Sequence, residues 1–141
     1  MAAALDLERH LLGIEGLSLA RIERLLALAS SFQKTPPARS LAGKRLLVLF
    51  YEASTRTRTS FEVAARRLGA ETVSVTASSS SIEKGESLLD TVYTLRAMVI
   101  DGIVVRHASS CAPHLVAEHV DVPVVNAGDG MHEHPTQALL D

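Results

Sequence analysis

Three hydroxyls and two guanidinium groups fall in five consecutive positions, Ser54-Thr55-Arg56-Thr57-Arg58. This donor set suits an anion. Arg56 offers a planar fork matched to two phosphate oxygens, and the hydroxyls of Ser54, Thr55 and Thr57 add further donors. If the stretch opens a helix, its free amides point outward and carry partial positive charge, which attracts the same ligand. The same residue types also make an ordinary N-cap followed by a solvated basic turn, and only a position directly after a buried strand favours the anion site. The chain contains neither GxxxxGK[ST] nor GxGxxG. A small phosphate ester or acyl phosphate therefore suits the donors better than a nucleotide or dinucleotide.

Other polar groups recur at intervals. Lys84 sits in Ser78-Ser-Ser-Ser-Ile-Glu-Lys-Gly-Glu86, a polar segment too long for a tight turn. As a compact charge on a flexible stem it can reach a phosphate from a distance, or simply remain a solvated loop lysine. Arg106-His107 ends an apolar run; the guanidinium either points into a ligand crevice or pairs with a nearby carboxylate. His132 and His134 flank Glu133. One cysteine and no HExxH make a metal centre a weak reading. His134 precedes Pro135, a good first helical residue, and an imidazole at a helix start stays neutral and can polarise a carbonyl oxygen. A purely structural cap is the alternative. Gln137, one turn on, faces the same site. Asn126, Asp129 and the two adjacent glycines read as loop-shaping residues, and Cys111 as structural, because no base is beside it in sequence.

The elements that must hold these groups alternate. Leu17 to Lys34 reads as a helix capped by Ser18, with Ile22, Leu25, Leu26, Ala29 and Phe32 on one face and Thr35-Pro36-Pro37 ending it. Arg45 to Phe50 is a continuous apolar run, as in a strand buried on both faces. A helix over Ser60 to Leu68, starting a few residues earlier, ends at Gly69. Strands follow at Thr72–Thr76, Ile103–Val105 and Pro123–Val125, with helices at Glu86–Met98, Ala112–His119 and from about Pro135. Strands alternating with helices predict an α/β fold, an open doubly wound parallel sheet of about four strands flanked by helices. Such sheets bind ligands beyond the carboxyl ends of their strands. Every chemically active segment above follows a strand, so the guanidinium of Arg56 and the imidazole of His134 are expected to face one electropositive pocket.

The 141 residues suit one domain, and 47% hydrophobic residues suffice for a core. A net charge of −2 gives no general attraction to nucleic acid or anionic membrane, so an anion site must be built locally. No Trp occurs, which weakens base stacking, and no apolar run reaches membrane-spanning length. A single cysteine and an N-terminus without signal-peptide character point to a reducing, cytoplasmic setting.

Phe50-Tyr-Glu-Ala-Ser-Thr-Arg-Thr-Arg-Thr-Ser-Phe-Glu62 resembles the signature shared by aspartate and ornithine carbamoyltransferases, and His134-Pro-Thr-Gln137 resembles their second motif. Ser80 with Lys84-Gly-Glu86, Val105-Arg-His107 and Asn126-Ala-Gly-Asp-Gly130 are similar to the aspartate enzymes in particular. The resemblance covers essentially the whole chain and implies a carbamoyl-phosphate-binding domain spanning residues 1–141. It implies that Ser54, Thr55, Arg56 and Thr57 hold the phosphate, and that Arg106 contacts phosphate and carbamoyl oxygen. Thr57 and His134 help polarise that oxygen, Gln137 orients the amide, and Ser80 and Lys84 enter a neighbouring subunit's site in a homotrimer. The chemistry it implies is attack by the α-amino group of aspartate on carbamoyl phosphate, giving N-carbamoyl-L-aspartate and phosphate for pyrimidine synthesis, with no metal or organic cofactor. The family's aspartate-binding domain is expected to be absent from this chain, so the expectation here is binding of carbamoyl phosphate or phosphate with little or no turnover. An ornithine carbamoyltransferase domain and a non-catalytic assembly partner are the alternatives. A regulatory chain or a dihydroorotase stays open as a partner of the longer protein.

Overall fold

A computed structural model describes residues 8–76 and 87–141, and its elements follow the expected alternation. In chain order they are α1 (Leu19–Lys34), β1 (Arg45–Phe50), α2 (Thr55–Arg67), β2 (Glu71–Thr76), α3 (Leu88–Arg96), β3 (Gly102–His107), α4 (Ala112–His119), β4 (Val124–Asp129) and α5 (Pro135–Leu140). The strands form one sheet in the order β2-β1-β3-β4, with every pair parallel. The chain leaves β1 toward one side to make β2, then returns to the other side to make β3. The strand order therefore reverses between β1 and β3, and the crevice outside their carboxyl ends is where such a sheet takes a ligand.

The apolar run in β1 explains its central place. Leu47 and Leu49 point into a core shared with Val92 of α3, Val105 of β3, Val116 of α4 and Val124 of β4. Val48 and Phe50 point to the opposite face, with Val104, Ala127 and Phe61 of α2. Period-two alternation divides one hydrophobic run between two cores, which makes the sheet doubly wound. The far edge of β4 is covered in part by the segment before α1, where the Leu11 amide donates to Val124 and the Asn126 amide donates back to Leu11.

Two expectations need correction. β4 does not end at Val125 but runs through Asn126 to Asp129, with a register irregularity opposite Val105–His107. Asn126 and Asp129 are wholly buried strand-end residues rather than loop residues, because their polar atoms are satisfied internally. The apolar stripe of α1 is only half used. Ser18 caps the helix as expected, and Ile22 and Leu25 are partly covered, yet Leu26 and Phe32 remain exposed at 44% and 41%. The stripe marks a surface able to be covered, and no described residue covers that part of it. Ser80 and Lys84 fall in 77–86, outside the described residues.

Candidate functional site

Helix α2 begins where β1 ends, and its first turn is free of competing caps. Ser54 is the N-cap residue but makes no side-chain capping bond, and no acidic residue occupies the first turn. Arg58 donates the first helical hydrogen bond, to the Ser54 carbonyl at 3.0 Å. The amides of Thr55, Arg56 and Thr57 precede it and have no partner within the helix. A helix start with loose amides, a serine hydroxyl free of capping and no carboxylate in its first turn is a place for an anion. Ser54, Thr55 and Arg58 line a cavity of about 340 Å³ together with Glu52 and Thr76.

Arg106, at the end of β3, is held by a backbone carbonyl and a carboxylate. Its side chain is 18% exposed, and one Nη donates to the Ala127 carbonyl at 3.0 Å. The other Nη lies 3.5 Å from Glu52 Oε1. Its Nε is buried and has no partner among the described residues. Glu52 is the residue that sequence reasoning missed; its pairing with Arg106 is non-local, and only its place directly after a buried strand hinted at a role.

His134 lies beside Arg106. The two rest against the backbone at Gly128, where an added Cβ would come within 2.7 Å of an Arg106 Nη and 3.2 Å of His134 Cδ2. The φ of +117° at Gly128 also disfavours any side chain there. Burial, then the neighbouring Arg106 charge, lowers the His134 pKa, so its imidazole is neutral near pH 7 and suited to donate or accept rather than to repel the guanidinium. His134 occupies the N-cap position of α5 without a side-chain capping bond, and its Nδ1 lies 3.4 Å from Thr136 Oγ1 in the first turn. Thr57, His134, Thr136 and Gln137 line a common pocket of about 280 Å³ with Phe61.

The expected single pocket is therefore assembled in part. Thr57, His134 and Gln137 share one wall, Arg106 joins them through His134, and Ser54 and Thr55 join through the Glu52–Arg106 pair. Arg56 does not join them. It lines a neighbouring groove with Thr55, Ser60, Val63 and Arg67, and shares only Thr55 with the Ser54 cavity. Positions 56 and 57 point about 100° apart on α2, but their two grooves adjoin, since Ser60 and Ala64 line both.

A second cluster stands behind the turn carrying His134. Asp129 Oδ2 accepts from the Cys111 amide at 2.7 Å and from His132 Nδ1 at 2.9 Å, and Oδ1 accepts from Asn126 Nδ2 at 3.1 Å and the Glu133 amide at 2.8 Å. Burial pushes the Asp129 pKa up, but the bonds from His132, Asn126, Cys111 and Glu133 outweigh it and hold the carboxyl below its ordinary range. Its bond to Asp129 raises the His132 pKa; desolvation opposes this, and the charges of Asp129, Glu133 and Glu15 add to the rise. His132 and His134 thus part company, one facing Asp129 and the other Arg106. Cys111 also corrects an expectation: it is exposed, and its thiol lies near His132, a neighbour invisible in sequence.

The raised His132 pKa gives a pH prediction. Because the folded value exceeds the unfolded one, the pair's contribution is full below about pH 6.5 and is lost as pH rises through the folded value. The Asp129 contribution has the opposite sense and is lost only in acid, as pH falls through its lowered folded value. Urea unfolding between about pH 5.5 and about pH 8.5 should show wild type losing stability relative to His132→Gln. Parallel curves for the two proteins would mean that the pair contributes nothing.

The family model for the aspartate/ornithine carbamoyltransferase carbamoyl-P binding domain matches residues 9–141. The aspartate carbamoyltransferase catalytic subunit of Koribacter versatilis is 59% identical over 133 residues, covering 94% of this chain and 44% of that protein. The catalytic subunit of M. jannaschii aspartate transcarbamoylase superposes with a TM-score of 0.84 at 44% identity, over 94% of this chain and 45% of that one. Aspartate transcarbamoylase from Trypanosoma cruzi, solved with carbamoyl phosphate and aspartate, gives a TM-score of 0.86 at 39% identity, over 94% and 43%. The chain thus spans less than half the length of these relatives, and within that span sequence and fold agree: it belongs to the carbamoyl-phosphate-binding domain family of the aspartate and ornithine carbamoyltransferases.

Proposed function

We propose that this domain binds carbamoyl phosphate as part of an aspartate carbamoyltransferase, which moves the carbamoyl group to the α-amino group of L-aspartate for pyrimidine synthesis. The observation that carries the proposal is the meeting of Arg106, neutral His134, Thr57 and Gln137 beside the open first turn of α2, at the reversal point of the sheet. The phosphate lies over the amides of Thr55, Arg56 and Thr57 with the Ser54 hydroxyl, and Arg56 swings in from the groove sharing Thr55. The carbamoyl oxygen accepts from Thr57, Arg106 and His134, and Gln137 orients the amide. As the amine attacks, charge grows on that oxygen, and each preorganised donor aimed at it stabilises the transition state by roughly 2.7–4 kcal/mol. Phosphate then leaves toward the α2 amides, Arg56 and Lys84.

The names of the most similar relatives favour aspartate over ornithine as acceptor. The exposed stripe of α1 offers a surface that another part of such an enzyme would cover. A cytoplasmic homotrimer with Ser80 and Lys84 reaching a neighbour's site completes the reading.

Calorimetric titration with carbamoyl phosphate tests it. Arg56→Ala should weaken binding about 10- to 100-fold, the effect of about 1.5–3 kcal/mol for hydrogen bonds to a charged group. Unchanged affinity removes Arg56 from the site, and no binding by wild type removes the proposal.

A further inference from the structure

We propose that Cys111, Asp129 and His132 form a site for a thiophilic divalent cation of the zinc class, on the side of the 129–134 turn away from Arg106. Their thiol, carboxylate and imidazole ligand atoms all lie within 4.8 Å of one another. Ligands around a tetrahedral zinc sit about 3.3–3.8 Å apart, given bonds of about 2.0–2.3 Å, so modest rotation of two exposed side chains closes the cluster. The carboxylate needs no rotation. Asp129 is wholly buried, Oδ1 is fixed by Asn126 and the Glu133 amide, and Oδ2 accepts from the Cys111 amide and faces His132 Nδ1, with the Cys111 thiol within 4.8 Å. Such outer hydrogen bonds orient a metal-binding carboxylate.

The donor types point to the metal. Sulfur, imidazole and a single carboxylate select zinc-like ions over magnesium or calcium, which prefer oxygen alone. On binding, the cation takes the place of the proton between His132 Nδ1 and Asp129 Oδ2, and the Cys111 thiol releases its own proton to solvent. Water fills a fourth position, or His114 does: its ring lies 5.9 Å from that of His132, and its buried Nδ1 has no partner among the described residues. The ion would pin the start of α4, through Cys111, to the turn that presents His134. Metal binding is read out separately from ligand binding at Arg106, so either reading can fail alone.

Cobalt titration of the chain in phosphate-free buffer tests this inference. One Co²⁺ per chain should bind with a thiolate-to-cobalt absorption band, and Zn²⁺ should displace it. Cys111→Ser and His132→Gln, both at exposed side chains, should each weaken Zn²⁺ binding about 10- to 100-fold or more while far-UV circular dichroism stays unchanged. Zn²⁺ should also slow thiol modification of Cys111 in wild type but not in His132→Gln. A spectrum identical to the free aqueous ion, or equal Zn²⁺ affinity in all three proteins, overturns the proposal.

Discussion

Replacing Arg106 with alanine should lower affinity for carbamoyl phosphate by at least about a hundred-fold, close to abolishing binding. The guanidinium is largely buried, held by the Ala127 carbonyl and Glu52, with Nε left over and no partner among the described residues. A buried donor without a partner is expensive unless a ligand supplies one. Two charge-assisted bonds to an acyl phosphate, at about 1.5–3 kcal/mol each, give about 3 kcal/mol or more. Removing the cation also leaves Glu52 as an uncompensated negative charge facing an anion. Arg106→Lys keeps the charge but loses the fork, and should fall between the two proteins. Stability should drop less, by about 1–2 kcal/mol, since one bond to a backbone carbonyl is lost. Titration calorimetry paired with urea unfolding separates the effects. An Arg106→Ala protein that binds like wild type would show that this side chain only braces the end of β4.

Much of this arrangement is legible locally. The apolar run 45–50 can only be a strand covered on both faces, and a Ser/Thr/Arg cluster directly after it lands at a helix start. Parallel strands alternating with helices send their carboxyl ends to one edge, so the described residues after β1, β3 and β4 gather there without any long-range information. The remainder depends on contacts between distant positions. Asn126 and Asp129, beside glycines, look like a loop, and partners remote in sequence make their burial tolerable: the Leu12 carbonyl accepts from Asn126 across 114 residues, and the Cys111 amide donates to Asp129 across 18. Glu52 gains its meaning from Arg106, and Cys111 from His132. Periodicity finds the stripe on α1 but does not say what lies against it. At Arg56, one residue along a helix turns a side chain by about 100°, which points 56 and 57 into adjoining grooves.

The turn between β4 and α5 should fail most completely when Asp129 becomes alanine. Four donors converge on that carboxylate from three directions: the start of α4, the end of β4 and the turn itself. Alanine removes that acceptor from all four; Asn126 keeps the Leu12 carbonyl and the exposed His132 turns to water, while the part-buried Cys111 and Glu133 amides lose their partner. Each orphaned donor costs about 1–3 kcal/mol singly, but relaxation makes the sum less than additive. A loss of about 3–5 kcal/mol is expected, comparable to breaking a buried ion pair. For a domain with about 5–15 kcal/mol of total stability that is a large share. Asp129→Asn retains one accepting oxygen but turns an NH2 toward the Cys111 amide or His132, and should lose about half as much. Because the Glu133 amide is tied to Asp129, the same change frees His134 from its place beside Arg106, so ligand affinity should fall even at temperatures where the protein stays folded. Urea unfolding of the three proteins decides the matter. If Asp129→Ala lies within about 1 kcal/mol of wild type, the network does not hold the turn, and the position of His134 must be set by Pro135 and the packing of α5 alone.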